Sequence, residues 1–158
     1  MALSVGTLAP DFTLKTMTSE GLTDVHLGSF RGSKNVVLLF VPAAFTGVCT
    51  TELCDMTGSI NSYTDLDAEV IAISADTPFA QAAWAKQEGI GLTLVSDYQK
   101  DTIKAYDIVL DDLAGLGMGS KRAAFVIDKE GVIRYSEETP TPKDLPNFEA
   151  VKKILTDL

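Results

Sequence analysis

The sequence predicts an α/β sandwich: a central mixed sheet flanked by helices, with a short β extension at the N-terminus. Three observations carry that prediction. Val36–Val41 (VVLLFV) and Val70–Ser74 (VIAIS) are continuously apolar, the pattern of strands buried on both faces. A segment of helical character, Cys49–Leu66, lies between them and is long enough to bring the second strand back parallel to the first. Ala123–Asp128 and Val132–Ser136 read instead as two strands joined across Lys129–Gly131, a hairpin with glycine where positive φ is wanted.

Taken in order, the chain opens with Gly6 and Pro10 as punctuation and a short hairpin entry around Phe12–Leu14 and Val25–Leu27. After the first buried strand and its helix comes Val70–Ser74. Thr77-Pro78 then supplies a capping hydroxyl and a proline at the first helical position, and Gly89 stops the helix after Glu88. Leu92–Val95 is expected as a short strand and Lys100–Tyr106 as a short helix. Leu110–Gly119 is glycine-rich and is expected to be a mobile loop, and Pro140, Pro142 and Pro146 stiffen the approach to the last helix. That helix spaces Phe148, Val151, Ile154, Leu155 and Leu158 along one face. Parallel strands joined by helices and closed by an antiparallel hairpin give a sandwich of the thioredoxin type, expected as one domain over residues 1–158.

Composition narrows the function classes. With 46% hydrophobic and 22% charged residues the chain reads as globular, and a net charge of −9 argues against a nucleic-acid or anionic-membrane partner. Two cysteines do not make a disulfide scaffold, so a cytoplasmic, thiol-reducing compartment is expected. The start MALSVGTLAPDF has no basic region followed by an apolar core, so no signal peptide is expected. One histidine and two cysteines at this spacing are poor material for a metal site, and no glycine-rich phosphate loop is visible, so neither metal nor cofactor is expected.

The chemistry is expected in Val41–Cys54, VPAAFTGVCTTELC, which sets Pro42, Thr46 and Cys49 at fixed offsets just after a buried strand. Unpaired N–H groups at a helix start favour negative charge, so a cysteine there leans towards its reactive thiolate. The competing reading of Cys49 is a buried structural thiol, but its place at a helix start beside Thr46 and Gly47 argues against it. Proline has no N–H and shields the space beside it, while a threonine hydroxyl both donates and accepts, or simply caps the helix. Glu52, as a lone carboxylate on a helix, reads as solvated, although it could pair with an arginine. His26, the only histidine, lies in the N-terminal segment and would have to fold back to form a Cys–His dyad. Trp84 reads as core.

Pro42-x3-Thr46-x2-Cys49, with the apolar strand before it, resembles the active-site motif of the peroxiredoxins. Ser120–Asp128 (SKRAAFVID) resembles that family's second signature, an arginine immediately before a strand, here Arg122; Ala9–Leu14 (APDFTL) adds a third matching segment. The phrase AFTGVC and the five-residue cysteine spacing are similar to the E-type alkyl hydroperoxide reductases and the Q-type (bacterioferritin comigratory) peroxiredoxins. The resemblance implies a thiol-dependent peroxidase acting on hydroperoxides, with Cys49 as the peroxidatic cysteine oxidised to a sulfenic acid. Thr46 and Arg122 would then hold the peroxide and stabilise the departing oxygen, against the bland reading of Arg122 as a surface residue. The resemblance further implies recycling by thioredoxin or another thiol reductant, and a homodimer through loop edges near the site.

Cys54 divides the readings. It is the one internal candidate for a resolving cysteine, and Q-type relatives use this spacing. Five residues along a helix, however, advance roughly 7.5 Å and turn about 140°. That puts the pair beyond the ~7 Å Cα limit for a disulfide, so the first turns must unwind for the bond to form. Gly47, Thr50 and Thr51 are weak helix formers and favour such opening. A one-cysteine peroxidase served by an external thiol stays open, as do two other functions. A thioredoxin-like disulfide reductase would normally carry C-x-x-C, where this chain has C-x4-C, and no proline precedes Ala123. A peroxide sensor would be oxidised without turnover.

Overall fold

Seven strands form one mixed sheet in the computed structural model, which describes Met1 to Leu158. Its middle is β3 (Asn35–Phe40), parallel to β4 (Ala68–Ser74) on one side and antiparallel to β8 (Ala123–Ile127) on the other. Next to β4 lies β5 (Thr93–Ser96), again parallel, and then the hairpin of β1 (Thr13–Thr18) and β2 (Gly21–His26). At the far edge β9 (Ile133–Glu138) pairs antiparallel with β8. This is the thioredoxin-like sandwich with its N-terminal β extension.

All six residues of β3 are buried because alternate side chains serve two cores. Val37, Leu39 and Val41 pack with Cys49, Leu53, Trp84 and Val151, under the helices α1 (Gly47–Gly58), α3 (Pro78–Glu88) and α5 (Phe148–Asp157). Val36, Leu38 and Phe40 face the other way, onto Ile103 and Tyr106 around α4 (Asp101–Ala105). There Phe40, Tyr106 and Phe125 meet ring to ring, and the Tyr106 hydroxyl donates to the Pro10 carbonyl at 2.7 Å, pinning the N-terminal segment to this face. No helix is long and apolar enough to cross a membrane.

Local chemistry sets the boundaries. Thr77 Oγ1 accepts from Ala80 N at 3.1 Å and Pro78 opens α3, which ends at Gly89 with φ +70°. The entry hairpin is longer than its apolar residues suggest, and Leu27 belongs to a 3-10 turn after it. The helix expected over Cys49–Leu66 is instead two: α1 stops at Gly58, and α2 (Ile60–Thr64) restarts after Ser59. Thr57 and Ser59 hydroxyls donate back to the Leu53 and Asp55 carbonyls, a competition with the helix's own bonds that, beside a glycine, breaks it. Leu110–Gly119 is not wholly loop, since β6 (Val109–Leu110) pairs with β7 (Gly119–Ser120) at its base. Between them Asp112 accepts from Gly115 N and Gly117 N and ties the turn internally.

Candidate active site

Cys49 sits in the first turn of α1, fully buried, where the chain leaves the C-terminal end of β3. The strand delivers Pro42, also buried, and a tight turn through Phe45 (φ +64°) swings the chain into the helix. Thr46 stands at the helix N-cap, but its hydroxyl donates to the Ala43 carbonyl at 2.7 Å and does not cap. With its proton committed there, the Thr46 oxygen keeps lone pairs free to accept from a bound O–H.

Arg122 enters from the start of β8, the central strand's antiparallel neighbour, and is 2% exposed. Its Nη2 lies 3.2 Å from Cys49 Sγ and its Nη1 donates to Glu52 Oε2 at 2.5 Å. Nε and Nη2 also donate to the Pro142 carbonyl, at 3.1 and 2.9 Å, so the guanidinium plane is clamped on three sides. Burial draws the Arg122 ionisation down, but the charges of Cys49 and Glu52 outweigh it and push it up, so the side chain stays a cation. The surface reading of Arg122 is therefore overturned by burial and by these partners.

Glu52 is likewise not solvated. It is fully buried one helical turn beyond Cys49, and its Oε1 has no hydrogen-bond partner. Burial pushes its carboxyl up to about 7, a rise that the charge of Arg122 and its hydrogen bond only partly offset. A helix spacing of three placed both groups on one face, and the arginine that joins them comes from far along the chain.

The structure joins Cys49, Glu52 and Arg122 by direct contacts, sets Pro42 and Thr46 on the segment that leads into Cys49, and leaves two residues outside. His26 bonds Asp11 at 2.7 Å beside the entry hairpin, so no Cys–His dyad forms. Cys54 shares α1 with Cys49 but faces α3, where its thiol donates to the Glu88 carbonyl at 3.5 Å; both cysteines are free. Trp84 is core, as expected, and its indole N–H donates to Thr50 Oγ1 at 3.0 Å. Sequence reasoning missed the Pro142 carbonyl, because a backbone acceptor leaves no residue signature. It also missed Asp76, whose carboxylate accepts from Ala44 N at 2.8 Å.

A single thiol at a helix start, faced by a clamped arginine on a thioredoxin-like sheet, defines a thiol-based redox enzyme. The chain belongs to the AhpC/TSA family, whose model matches residues 5–136. It is 37% identical over 137 residues to alkyl hydroperoxide reductase E of Mycobacterium tuberculosis, covering 85% of each chain. It is 34% identical to the chloroplastic 2-cysteine peroxiredoxin of Chattonella marina, over 86% of this chain and 71% of that one. Among solved structures, the reduced 2-Cys peroxiredoxin of Plasmodium vivax superposes with a TM-score of 0.85 at 27% identity, covering 96% of this chain and 80% of the other. Peroxidoxin BcpB of M. tuberculosis does so at 0.84 and 26%, covering 98% and 97%. The protein is thus a peroxiredoxin, a thiol-dependent peroxidase.

Proposed function

We propose that Cys49 is the peroxidatic nucleophile and that Arg122, Thr46 and Pro42 form its peroxide pocket. The observation that carries this is the 3.2 Å contact from Arg122 Nη2 to Cys49 Sγ inside a buried, clamped network. The Cys49 sulfur attacks the terminal oxygen of hydrogen peroxide or an organic hydroperoxide. A sulfur–oxygen bond forms, the O–O bond breaks, and sulfur loses two electrons to become a sulfenic acid. The departing oxygen takes a proton and leaves as water or alcohol. Arg122 stabilises negative charge on the sulfur and on the oxygen, Thr46 accepts from the peroxide O–H, and Pro42 keeps a competing N–H away.

Resolution then falls to Cys54. Its sulfur attacks the sulfenic sulfur, the S–O bond breaks, and the departing hydroxide takes the Cys54 thiol proton and leaves as water. A Cys49–Cys54 disulfide forms, which thioredoxin or a similar dithiol reduces in a thiol-reducing, cytoplasmic compartment. The working unit is a homodimer. Because Cys54 faces α3 and not Cys49, the first turns of α1 must unwind before the sulfurs meet. That orientation also favours a second reading, in which an external thiol attacks the sulfenic acid directly. Intact mass after one equivalent of peroxide separates the two. Loss of two hydrogens in the wild type, with gain of one oxygen in Cys54→Ser, supports the internal disulfide. A persistent single-oxygen adduct in the wild type supports the external thiol.

A further inference from the structure

The turn that carries Thr46 into the site is strained and needs a support. Phe45 adopts the left-handed conformation at φ +64°, which costs an L side chain about 1–2 kcal/mol. Within the turn the Thr46 hydroxyl bonds only the Ala43 carbonyl, a contact that moves with the turn. One hydrogen bond joins Ala43–Thr46 to another strand end: Ala44 N donates to Asp76 Oδ2 at 2.8 Å.

Asp76 is itself held from both neighbouring strands. Ser96 Oγ, at the end of β5, donates to the Asp76 carbonyl at 2.6 Å, and Asp76 N donates to Ser74 Oγ at 3.4 Å. Ser74 is fixed in turn by Gln81 Nε2 at 2.8 Å, and Gln81 also donates to the Val95 carbonyl at 2.9 Å. A relay of bonds therefore runs from the ends of β4 and β5, through a carboxylate, to the backbone that positions Thr46.

We propose that Asp76 is a positioning residue for the peroxide step: by holding Ala44 N–H it fixes the turn at Phe45, and with it the place of the Thr46 hydroxyl beside Cys49. What Asp76 supplies is an acceptor at a fixed point. Its negative charge is not required, so an amide oxygen in the same place serves as well. Arg122 reaches Cys49 from β8 by a separate route, so releasing the turn leaves the guanidinium where it is. The inference rests on the reading of Cys49 and Thr46 given above.

The test is stopped-flow oxidation by hydrogen peroxide, with Cys49 alkylation by iodoacetamide as a second readout. Asp76→Ala should slow oxidation about tenfold or more, because small displacements of a positioning group are costly. Its alkylation rate, which needs the thiolate but not Thr46, should stay within about twofold of wild type. Asp76→Asn, which keeps an acceptor in place, should restore oxidation to within about twofold. If Asp76→Ala does not fold, Asp76→Glu keeps the charge and displaces the acceptor, and slow oxidation is again expected. Wild-type oxidation in the Ala or Glu variant, or an Asn variant as slow as Ala, overturns the inference. A Cys49→Ser control that still consumes peroxide would instead overturn the underlying site.

Discussion

Cys54 and Glu88 face each other across two helices that run in the same direction, the thiol of one donating to the backbone carbonyl of the other at 3.5 Å. Two further bonds continue that seam, Trp84 Nε1 to Thr50 Oγ1 and Gly91 N to Thr57 Oγ1, each 3.0 Å, and in all three the partners lie 34 residues apart. Thr50, Cys54 and Thr57 form one stripe of α1, spaced four and three residues apart, as a single helix face requires. The stripe holds Cys54 away from Cys49. Unwinding the start of α1 for a disulfide must first break the Thr50–Trp84 bond.

Thr50→Val should therefore speed the closing step. The variant keeps the shape but leaves the indole N–H without its acceptor, a loss of about 1–3 kcal/mol. Because the lost bond belongs to the closed helix, opening should become about fivefold or more easier, while oxidation of Cys49 keeps its rate. Rapid-quench measurement of disulfide formation checks this. Closure at the wild-type rate would place the barrier elsewhere.

Arg122→Met should slow sulfenic acid formation by about tenfold or more, since one charge-assisted donor to the reacting atoms is lost. The fold should survive, because Glu52, left without its partner, takes up a proton and stays buried neutral. Stopped-flow oxidation and a thermal melt read both expectations. Unchanged oxidation would put Arg122 outside the chemistry.

Glu52 predicts a specific pH dependence of stability. Its folded carboxyl is raised to about 7 from the usual 4.5, so between those values the folded chain binds a proton that the unfolded chain releases. Stability from this group is therefore full below about 4.5, declines as pH rises towards 7, and stays low above. Glu52→Gln removes the slope, and its melting temperature should gain on wild type between pH 5 and pH 8. An offset that stays constant across that range would show that Glu52 does not titrate there.

Gly131→Ala tests the hairpin between β8 and β9. Gly131 has φ +85°, and a Cβ there would meet Arg31 Nε at 2.7 Å. A loss of about 1–2 kcal/mol is expected, with peroxidase activity unchanged because the turn lies at the end of the sheet remote from Cys49. Denaturant unfolding gives the number, and a neutral substitution would mean that Arg31 moves aside freely.

Much of this architecture is legible in the chain because its signals are local. The apolar runs at Val36 and Val70, the Thr77-Pro78 start and Gly89 stop, and the glycine at 131 each act through nearest neighbours. The break at Ser59 was hidden because back-bonding hydroxyls outweighed a continuous helical pattern. The site divides the same way. Pro42, Thr46 and Cys49 are visible as one motif, whereas the burial of Glu52 depends on an arginine 70 residues away and on a backbone carbonyl at Pro142. Asp76 was invisible for the same reason: a lone aspartate after a strand reads as a solvated loop residue until the fold sets Ala44 against it.

If Cys49 carries the peroxide chemistry, its replacement by serine abolishes that chemistry. A serine hydroxyl cannot supply a comparable nucleophile near neutral pH, whatever Arg122 and Thr46 contribute around it. Peroxide consumption with excess dithiol should fall to background in the Cys49→Ser variant, while Cys54→Ser, given one equivalent of peroxide without dithiol, retains a single added oxygen. Consumption by Cys49→Ser within tenfold of wild type would mean that the peroxide is reduced elsewhere.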